Sequence, residues 1–148
     1  TTLLKTEFGL TQCDITKLNG YDNLNYLVNA KSGKCIFKTY TYNKALLDVL
    51  IAENEALQFL EESDSQQFPK PIPFISGELI KVLEIDGKQT ICRMLSFLEG
   101  TFIGDTKASE PLLQSLGTFL ATLNLVCKCD SNNKASSLEL KILTITYL

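Results

Sequence analysis

The first residue with a chemical role to explain is a lysine inside a β-prone segment. Lys38 lies in the run Lys34–Tyr40, where strand alternation places it on the same face as Ile36 and Tyr40. An ammonium group between two large apolar neighbours is costly to bury unless it is paired. Its point charge suits phosphate binding, and the alternative is an ordinary lysine near the end of a strand.

A glutamate at an equally unexpected place follows in the next element. With Asn43 as a candidate N-cap, the spacing predicts a helix that runs to about Glu62 without an interrupting Gly or Pro. Glu53 completes the helix's apolar stripe, whereas Glu55 lies about 200° further round and should face solvent. The alternative is that Glu53 sits at the edge of the stripe and reaches water. The leucines of the stripe are Leu46, Leu50, Leu57 and Leu60.

The two charges together are more informative than either alone. A strand lysine followed directly by a helix with an inward glutamate is the arrangement that holds nucleotide phosphates in kinase folds, where the glutamate fixes the lysine. A plain structural domain is the competing hypothesis, and it predicts Lys38 and Glu53 on opposite sides of the sheet.

The elements that must position these residues follow from pattern and turn signals. Asp86-Gly87 is a strong hairpin signal, and three alternating prolines force an extended crossing over Pro69–Pro73. The fold predicted is α+β, with a five-stranded antiparallel sheet, one packed helix, a hinge and a second helix. The predicted strands are Cys13–Leu18, Leu24–Asn29, Lys34–Tyr40, Leu79–Ile85 and Lys88–Leu95, after a weakly helical Thr2–Phe8 and before the second helix Glu110–Lys128.

Composition narrows the classes of function. The chain has 148 residues, a net charge of −3 and no histidine, which excludes histidine-based triads and imidazole bases. The negative charge gives no general attraction to nucleic acid or anionic membranes. Five scattered cysteines without a CxxC pair predict reduced thiols in a cytoplasmic protein and no metal site.

Six short motifs follow one another along the chain. They are the turn and strand Gly20–Val28, the strand end Cys35–Lys38, the E-x-x-x-L-x-x-L helix from Glu53, the crossing Pro69–Pro73, the hinge-like Arg93–Gly100 and the helix Leu112–Leu125. In this order they resemble the aminoglycoside phosphotransferase and choline kinase superfamily of the protein-kinase-like fold. The resemblance covers about residues 10–127, only the N-terminal lobe and the start of the next, and is greatest to hydroxylysine-kinase-like and homoserine-kinase-like members, including those fused to class III aminotransferases.

The resemblance implies a role for each candidate site residue. Lys38, paired with Glu53, would contact the α- and β-phosphates of ATP. The turn with Tyr21, Asn23 and Asn25 would lie over the phosphates. Around the base, Ile36 would form part of the apolar roof, Leu95 would lie behind it, and backbone groups of Ser96 and Leu98 would hydrogen-bond the adenine edge.

The same comparison exposes a departure. The family's catalytic loop carries histidine, an aspartate base and an asparagine, and a later aspartate binds magnesium; these residues have no match here. We therefore expect a kinase-like lobe over 1–95, a hinge over 96–108 and the truncated start of a second lobe over 109–148. This fragment alone should lack transferase activity, with the Mg ligands in the absent lobe.

Three further expectations concern an alternative function, the C-terminal segment and the acceptor. The runner-up function is a non-catalytic binding or regulatory module that keeps the shape of the lobe for protein contacts. The apolar, β-prone stretch Leu138–Leu148 predicts self-association through an exposed C-terminal segment. The acceptor expected for the complete protein is a small molecule, a hydroxylated amine or amino acid.

Overall fold

The structure is a computed structural model that describes residues 2–18, 23–62, 68–101 and 103–128. The chain divides into two compact units, Thr1–Leu98 and Glu99–Leu148. All candidate site residues fall in the first unit.

The first unit is built on a six-stranded antiparallel sheet. Its strands follow the order β1-β2-β3-β6-β4, and β5 also pairs with β6. The hairpin signal at Asp86-Gly87 is confirmed, since both residues have positive φ (51° and 73°), which matches the twist that a tight hairpin needs. The elements are α1 Thr2–Phe8, β1 Cys13–Leu18, β2 Leu24–Ala30, β3 Gly33–Thr41, α2 Lys44–Glu62, β4 Pro71–Ile72, β5 Ile80–Ile85 and β6 Lys88–Ser96.

Two details of the predicted fold were wrong. A sixth strand, β4, forms where the proline crossing pairs with Leu95 and Met94 of β6. Pro71 is tolerated there because an edge strand leaves one side without ladder bonds, so a missing N–H costs little. The prediction of a single packed helix is also wrong, because α1 packs on the sheet as well as α2. Leu4 of α1 is 3% exposed and belongs to the core.

Each face of the sheet has its own core. On one face α1 contributes Leu4 and Phe8, and the Phe8 ring lies 4.3 Å from that of Phe74 and 5.9 Å from that of Phe37. On the other face Leu50 of α2 packs with Tyr40 and Ile91. The strand alternation that puts Phe37 on the α1 side places Lys38 on the α2 side.

The helix α2 has the features that its sequence predicts. Asn43 caps its first turn, because the Leu46 N–H donates to Asn43 Oδ1 at 3.1 Å. Leu50, Leu57 and Leu60 are 1–2% exposed, and Glu53 within their stripe is 6% exposed. Glu55 is exposed, as its angle round the helix predicts.

The second unit contains a 3₁₀ turn, Ile103–Asp105, and the helix α3, Glu110–Lys128. The predicted bounds of that helix are confirmed. Ser109 precedes its first turn and accepts a hydrogen bond from the Leu112 N–H at 3.4 Å.

Candidate functional site

Three polar side chains form a row across the α2 face of the sheet. Asn25 of β2 is paired with Lys38 of β3, which in turn is paired with Arg93 of β6. Residues directly opposite in antiparallel strands point to the same side, so all three face α2 and its Glu53. The hypothesis of a plain domain with Lys38 and Glu53 on opposite sides is therefore wrong.

Glu53 is bound by an arginine. Its Oε2 accepts a hydrogen bond from Arg93 Nη2 at 2.7 Å, and the two side chains are 8% and 4% exposed. Within the described part of the chain Lys38 forms no ion pair, so the expected direct Lys38–Glu53 pair is wrong for this structure. A guanidinium is more weakly hydrated than an ammonium and tolerates such a buried position better.

Arg93 is held by two further groups. Its Nε and Nη2 donate to the Tyr40 hydroxyl at 3.2 and 3.0 Å, and its Nη1 donates to Asn54 Oδ1 at 3.2 Å. Tyr40, Asn54 and Glu53 are all buried. These contacts tie β3, β6 and α2 into one network of buried polar groups.

The sequence analysis missed Arg93 and Asn54 as site residues. Arg93 lies in both the predicted strand Lys88–Leu95 and the hinge-like stretch Arg93–Gly100, and neither pattern gave it a role; in the structure β6 continues regularly to Ser96. The signal that could have found it is strand alternation, which places Arg93 on the same face as Ile91 and Leu95. Asn54 follows Glu53 in α2 and had no distinguishing pattern.

The ammonium of Lys38 has no ion pair among the described residues, and its surroundings disfavour its charge. Burial lowers its pKa from the ordinary value of 10.5, the neighbouring Arg93 lowers it further, and Glu53 partly opposes both. The two residues are therefore close enough to interact electrostatically, although they are not hydrogen-bonded. An anion arriving beside Lys38 would relieve both the desolvation and the repulsion.

The next residue of the row has an unsatisfied acceptor. Asn25 is 9% exposed, its Nδ2 donates to Asn23 Oδ1 at 3.1 Å, and its own Oδ1 is buried without a partner in the described part of the chain. A buried acceptor without a donor costs about 1–3 kcal/mol. The rest of the predicted phosphate-covering turn, including Gly20 and Tyr21, lies outside the described residues.

The predicted base-binding residues lie at and just after the end of β6 and, for Ile36, on the neighbouring strand β3. Ile36 and Leu95 are directly opposite each other on the same face as Lys38, two residues along each strand. Leu95 is 4% exposed and Leu98 is 44% exposed. The structure therefore brings an apolar pair and a lysine to one face of the sheet, in the order that the resemblance implies.

Ser96 is fixed by the proline crossing. Its N–H donates to the Lys70 carbonyl and its Oγ accepts from the Lys70 N–H, both at 2.8 Å. The backbone N–H of Ser96 is therefore already engaged by Lys70 and is not available to a ligand. This contact narrows the expectation that backbone groups of Ser96 would bind adenine.

One cavity lies largely outside this site, and two kinds of feature are absent from the described residues. A cavity of about 390 Å³ lies between α2 and β5, and Asn54 is its one residue in the Arg93 network. Across the described ranges there is no group of three or more His, Cys, Asp or Glu side chains that could hold a metal ion. Nor does that part of the chain contain a helix long and apolar enough to cross a membrane.

Comparison with known proteins finds relatives of one kind. No family profile matches the chain. Over 132 residues it is 26% identical to a hydroxylysine kinase of Danio rerio, and the aligned region covers 85% of this chain and 37% of that protein. The chain thus spans little more than a third of the length of this curated relative.

Solved structures of small-molecule kinases share the fold. A microcompartment-associated aminopropanol kinase superposes with a TM-score of 0.63 at 18% identity, over 82% of this chain and 38% of that one. An amicoumacin kinase bound to AMP-PNP, Ca²⁺ and amicoumacin gives 0.62 at 18%, over 81% and 36%. A spectinomycin phosphotransferase bound to ADP and spectinomycin gives 0.60 at 16%, over 80% and 34%.

These comparisons confirm the resemblance and the fold class predicted from the sequence. The chain is similar in sequence to a hydroxylysine kinase, and it has the α+β fold of part of these small-molecule kinases.

Proposed function

We propose that this chain is the ATP-binding lobe of a phosphotransferase that moves a phosphoryl group from ATP to a hydroxyl of a small amine or amino acid. The observation that carries the proposal is Lys38, a half-buried cation without an ion pair in the described residues, on the same face as Glu53. Structural neighbours bound to AMP-PNP and ADP support a nucleotide as its anion.

Each site residue has a definite task in this proposal. Lys38 contacts the α- and β-phosphates, and its charge is oriented by the field of Glu53. The turn that holds Tyr21 and Asn23 covers the phosphates, while Asn25 lies beside Lys38 and supports the turn through its hydrogen bond to Asn23.

The adenine-binding end of the site is apolar. Ile36 and Leu95 form walls against the base, and the Ser96 carbonyl with the Leu98 N–H reads its polar edge. The Lys70 contacts support this assignment, because they hold Ser96 in a fixed orientation before any ligand arrives.

The acceptor and the magnesium belong to a second lobe in this proposal. Hydroxylysine and aminopropanol, named in two of the relatives, each carry an amine and a hydroxyl. The proposed domain division keeps residues 1–95 as the lobe, 96–108 as the hinge and 109–148 as the start of the second lobe. The catalytic base and the Mg²⁺ ligands would follow, so these 148 residues alone should not transfer phosphate.

A non-catalytic binding module is the alternative. It is favoured by Leu113, which is 58% exposed on the amphipathic helix α3 and could contact a protein partner. The two functions differ in the reading frame that encodes this chain. A downstream His-x-Asp-x-x-x-x-Asn followed by a further aspartate supports the enzyme, and its absence supports the module.

The activity test uses the polypeptide made from that whole reading frame. It is incubated with Mg-ATP and a panel of hydroxylated amines and amino acids that includes hydroxylysine, and the phosphorylated product is identified by mass spectrometry. We expect one class of acceptor to be phosphorylated, and replacement of Lys38 by Met to reduce the rate at least about 100-fold. Unchanged transfer by Lys38→Met would refute the role of that lysine.

Location and assembly are lesser parts of the proposal. Cys35 and Cys92 are buried free thiols, as suits a protein of the reducing cytoplasm. Self-association through Leu138–Leu148, which lies outside the described residues, would appear as a concentration-dependent sedimentation coefficient.

A further inference from the structure

We propose that Arg93 is the positioning residue of this site: it binds Glu53 permanently, keeps α2 on the sheet, and so leaves Lys38 free for an anionic ligand. The inference rests on the proposed function for the identity of that ligand. It differs from a site in which the lysine and glutamate must bind each other directly.

The guanidinium of Arg93 is held by three fixed partners. Arg93 spends its Nε, Nη1 and Nη2 on Tyr40, Asn54 and Glu53 at 2.7–3.2 Å. Its side chain is 4% exposed, so water does not compete for these bonds. A guanidinium keeps its charge across the ordinary pH range of proteins, so the Arg93 side of this contact does not depend on protonation.

Arg93 also attaches α2 to the sheet. Asn54 accepts from Arg93 and also donates from its Nδ2 to the Leu79 carbonyl at 3.4 Å. Tyr40 adds its ring, whose centre lies 5.5 Å from the guanidinium carbon. Two consecutive residues of α2, Glu53 and Asn54, are thus held to β6, and this part of the helix has polar contacts that do not involve Lys38.

Because Arg93 binds Glu53, Lys38 is left without a hydrogen bond to that carboxylate. Arg93 takes Oε2 of Glu53, and in the described part of the chain no hydrogen bond reaches Oε1. Lys38 lies directly beside Arg93 across the β3–β6 pair. The charge of Glu53 acts on the pKa of Lys38, although no hydrogen bond joins the two side chains. If Arg93 were absent, Glu53 would be a buried carboxylate without a partner, and the neighbouring cation Lys38 would be drawn into an ion pair with it.

The test compares Arg93→Met, Arg93→Lys and Lys88→Met in the 148-residue chain. Met has nearly the length of arginine, Lys restores the charge, and Lys88 is an exposed cation of the same strand that serves as control. Two quantities are measured by NMR: the titration of Lys38 after ¹³C-methylation of lysines, without ligand, and the affinity for ATP.

The expected results separate positioning from simple packing. Arg93→Met should raise the pKa of Lys38, because a repelling cation is lost and Glu53 becomes available to it. ATP affinity should fall about tenfold, or about 1.4 kcal/mol. Arg93→Lys should recover part of both changes, and Lys88→Met should change neither.

Two outcomes would overturn the inference. One is a folded Arg93→Met variant with the titration and ATP affinity of the wild type. The second applies if Arg93→Met does not fold, and it uses Tyr40→Phe, which removes one acceptor of Arg93 and keeps the charge of Arg93. If the titration of Lys38 and the affinity for ATP are unchanged in Tyr40→Phe, the inference is overturned.

Failure of the proposed function has a different signature. In that case the wild-type chain does not bind ATP, whereas the ligand-free titration of Lys38 still responds to Arg93→Met.

Discussion

Replacing Glu53 by Gln should destabilise the first unit severely, although the two side chains have nearly the same shape. The Glu53–Arg93 pair is 8% and 4% exposed, which places it among buried ion pairs rather than surface pairs. Removing one partner of a buried pair costs about 3–5 kcal/mol, because the other charge stays buried without compensation. Here two cations lose their carboxylate, since Lys38 lies beside Arg93.

The magnitude of this loss can be bounded from the structure. Gln keeps an oxygen where Glu53 Oε2 accepts from Arg93, so neither a cavity nor a lost acceptor contributes. The effect is therefore electrostatic. Since domains of this size are stable by about 5–15 kcal/mol, a loss of about 3–5 kcal/mol should shift the urea midpoint strongly or unfold the unit.

Urea unfolding followed by far-ultraviolet circular dichroism measures the free energy of unfolding, because the chain has no tryptophan for fluorescence. The matched control is Glu55→Gln, two residues along the same helix and exposed. A surface carboxylate contributes about 0–1 kcal/mol, so the control should stay near wild type. Equal midpoints for the two variants would refute the assignment of Glu53 to a buried charge network.

Three further predictions follow from the cores and the pKa shifts. Lys38→Met should stabilise the chain at pH 7, as measured by urea unfolding. The gain should vanish above pH 10.5, because the lowered pKa of Lys38 means that the unfolded state binds the proton more tightly than the folded state does. A variant less stable than the wild type at pH 7 would contradict this. Burial raises the pKa of Cys92 to about 12, so at pH 8.5 peptide mass spectrometry should find it alkylated by iodoacetamide far more slowly than Cys13; equal rates would refute the burial. Leu57→Ala should cost about 2–5 kcal/mol in urea and Ile51→Ala, 42% exposed on the same helix, clearly less; similar costs would contradict the packing of α2.

Local signals predicted most of the fold. The strand pattern and the hairpin at Asp86-Gly87 placed five strands within one or two residues of their observed bounds. Asn43 and the uninterrupted run to Glu62 predicted α2, since an N-cap and an apolar stripe are written locally in the sequence. β4 was not predicted, because Pro71–Ile72 becomes a strand only through pairing with β6.

The site could be predicted only in part. Strand and helix periods placed Lys38 and Glu53 on facing surfaces, and this is confirmed. They could not choose the partner of Glu53, because Lys38 and Arg93 lie 55 positions apart in sequence but side by side in the sheet. Which of two neighbouring cations reaches a carboxylate depends on three-dimensional distances and on the cost of desolvating each.

The central claim is that Lys38 and the end of β6 bind ATP, and an NMR titration of the 148-residue chain with ATP tests it most directly. We expect saturable shifts at Asn25, Ile36, Lys38, Leu95 and Leu98, with a dissociation constant of about 1 mM, since one lobe offers only part of the walls of a pocket. Lys38→Met should abolish them, and Lys88→Met should not. If these residues show no shifts at high ATP concentration, or if the shifts persist in Lys38→Met, the claim that Lys38 and the end of β6 bind ATP is contradicted.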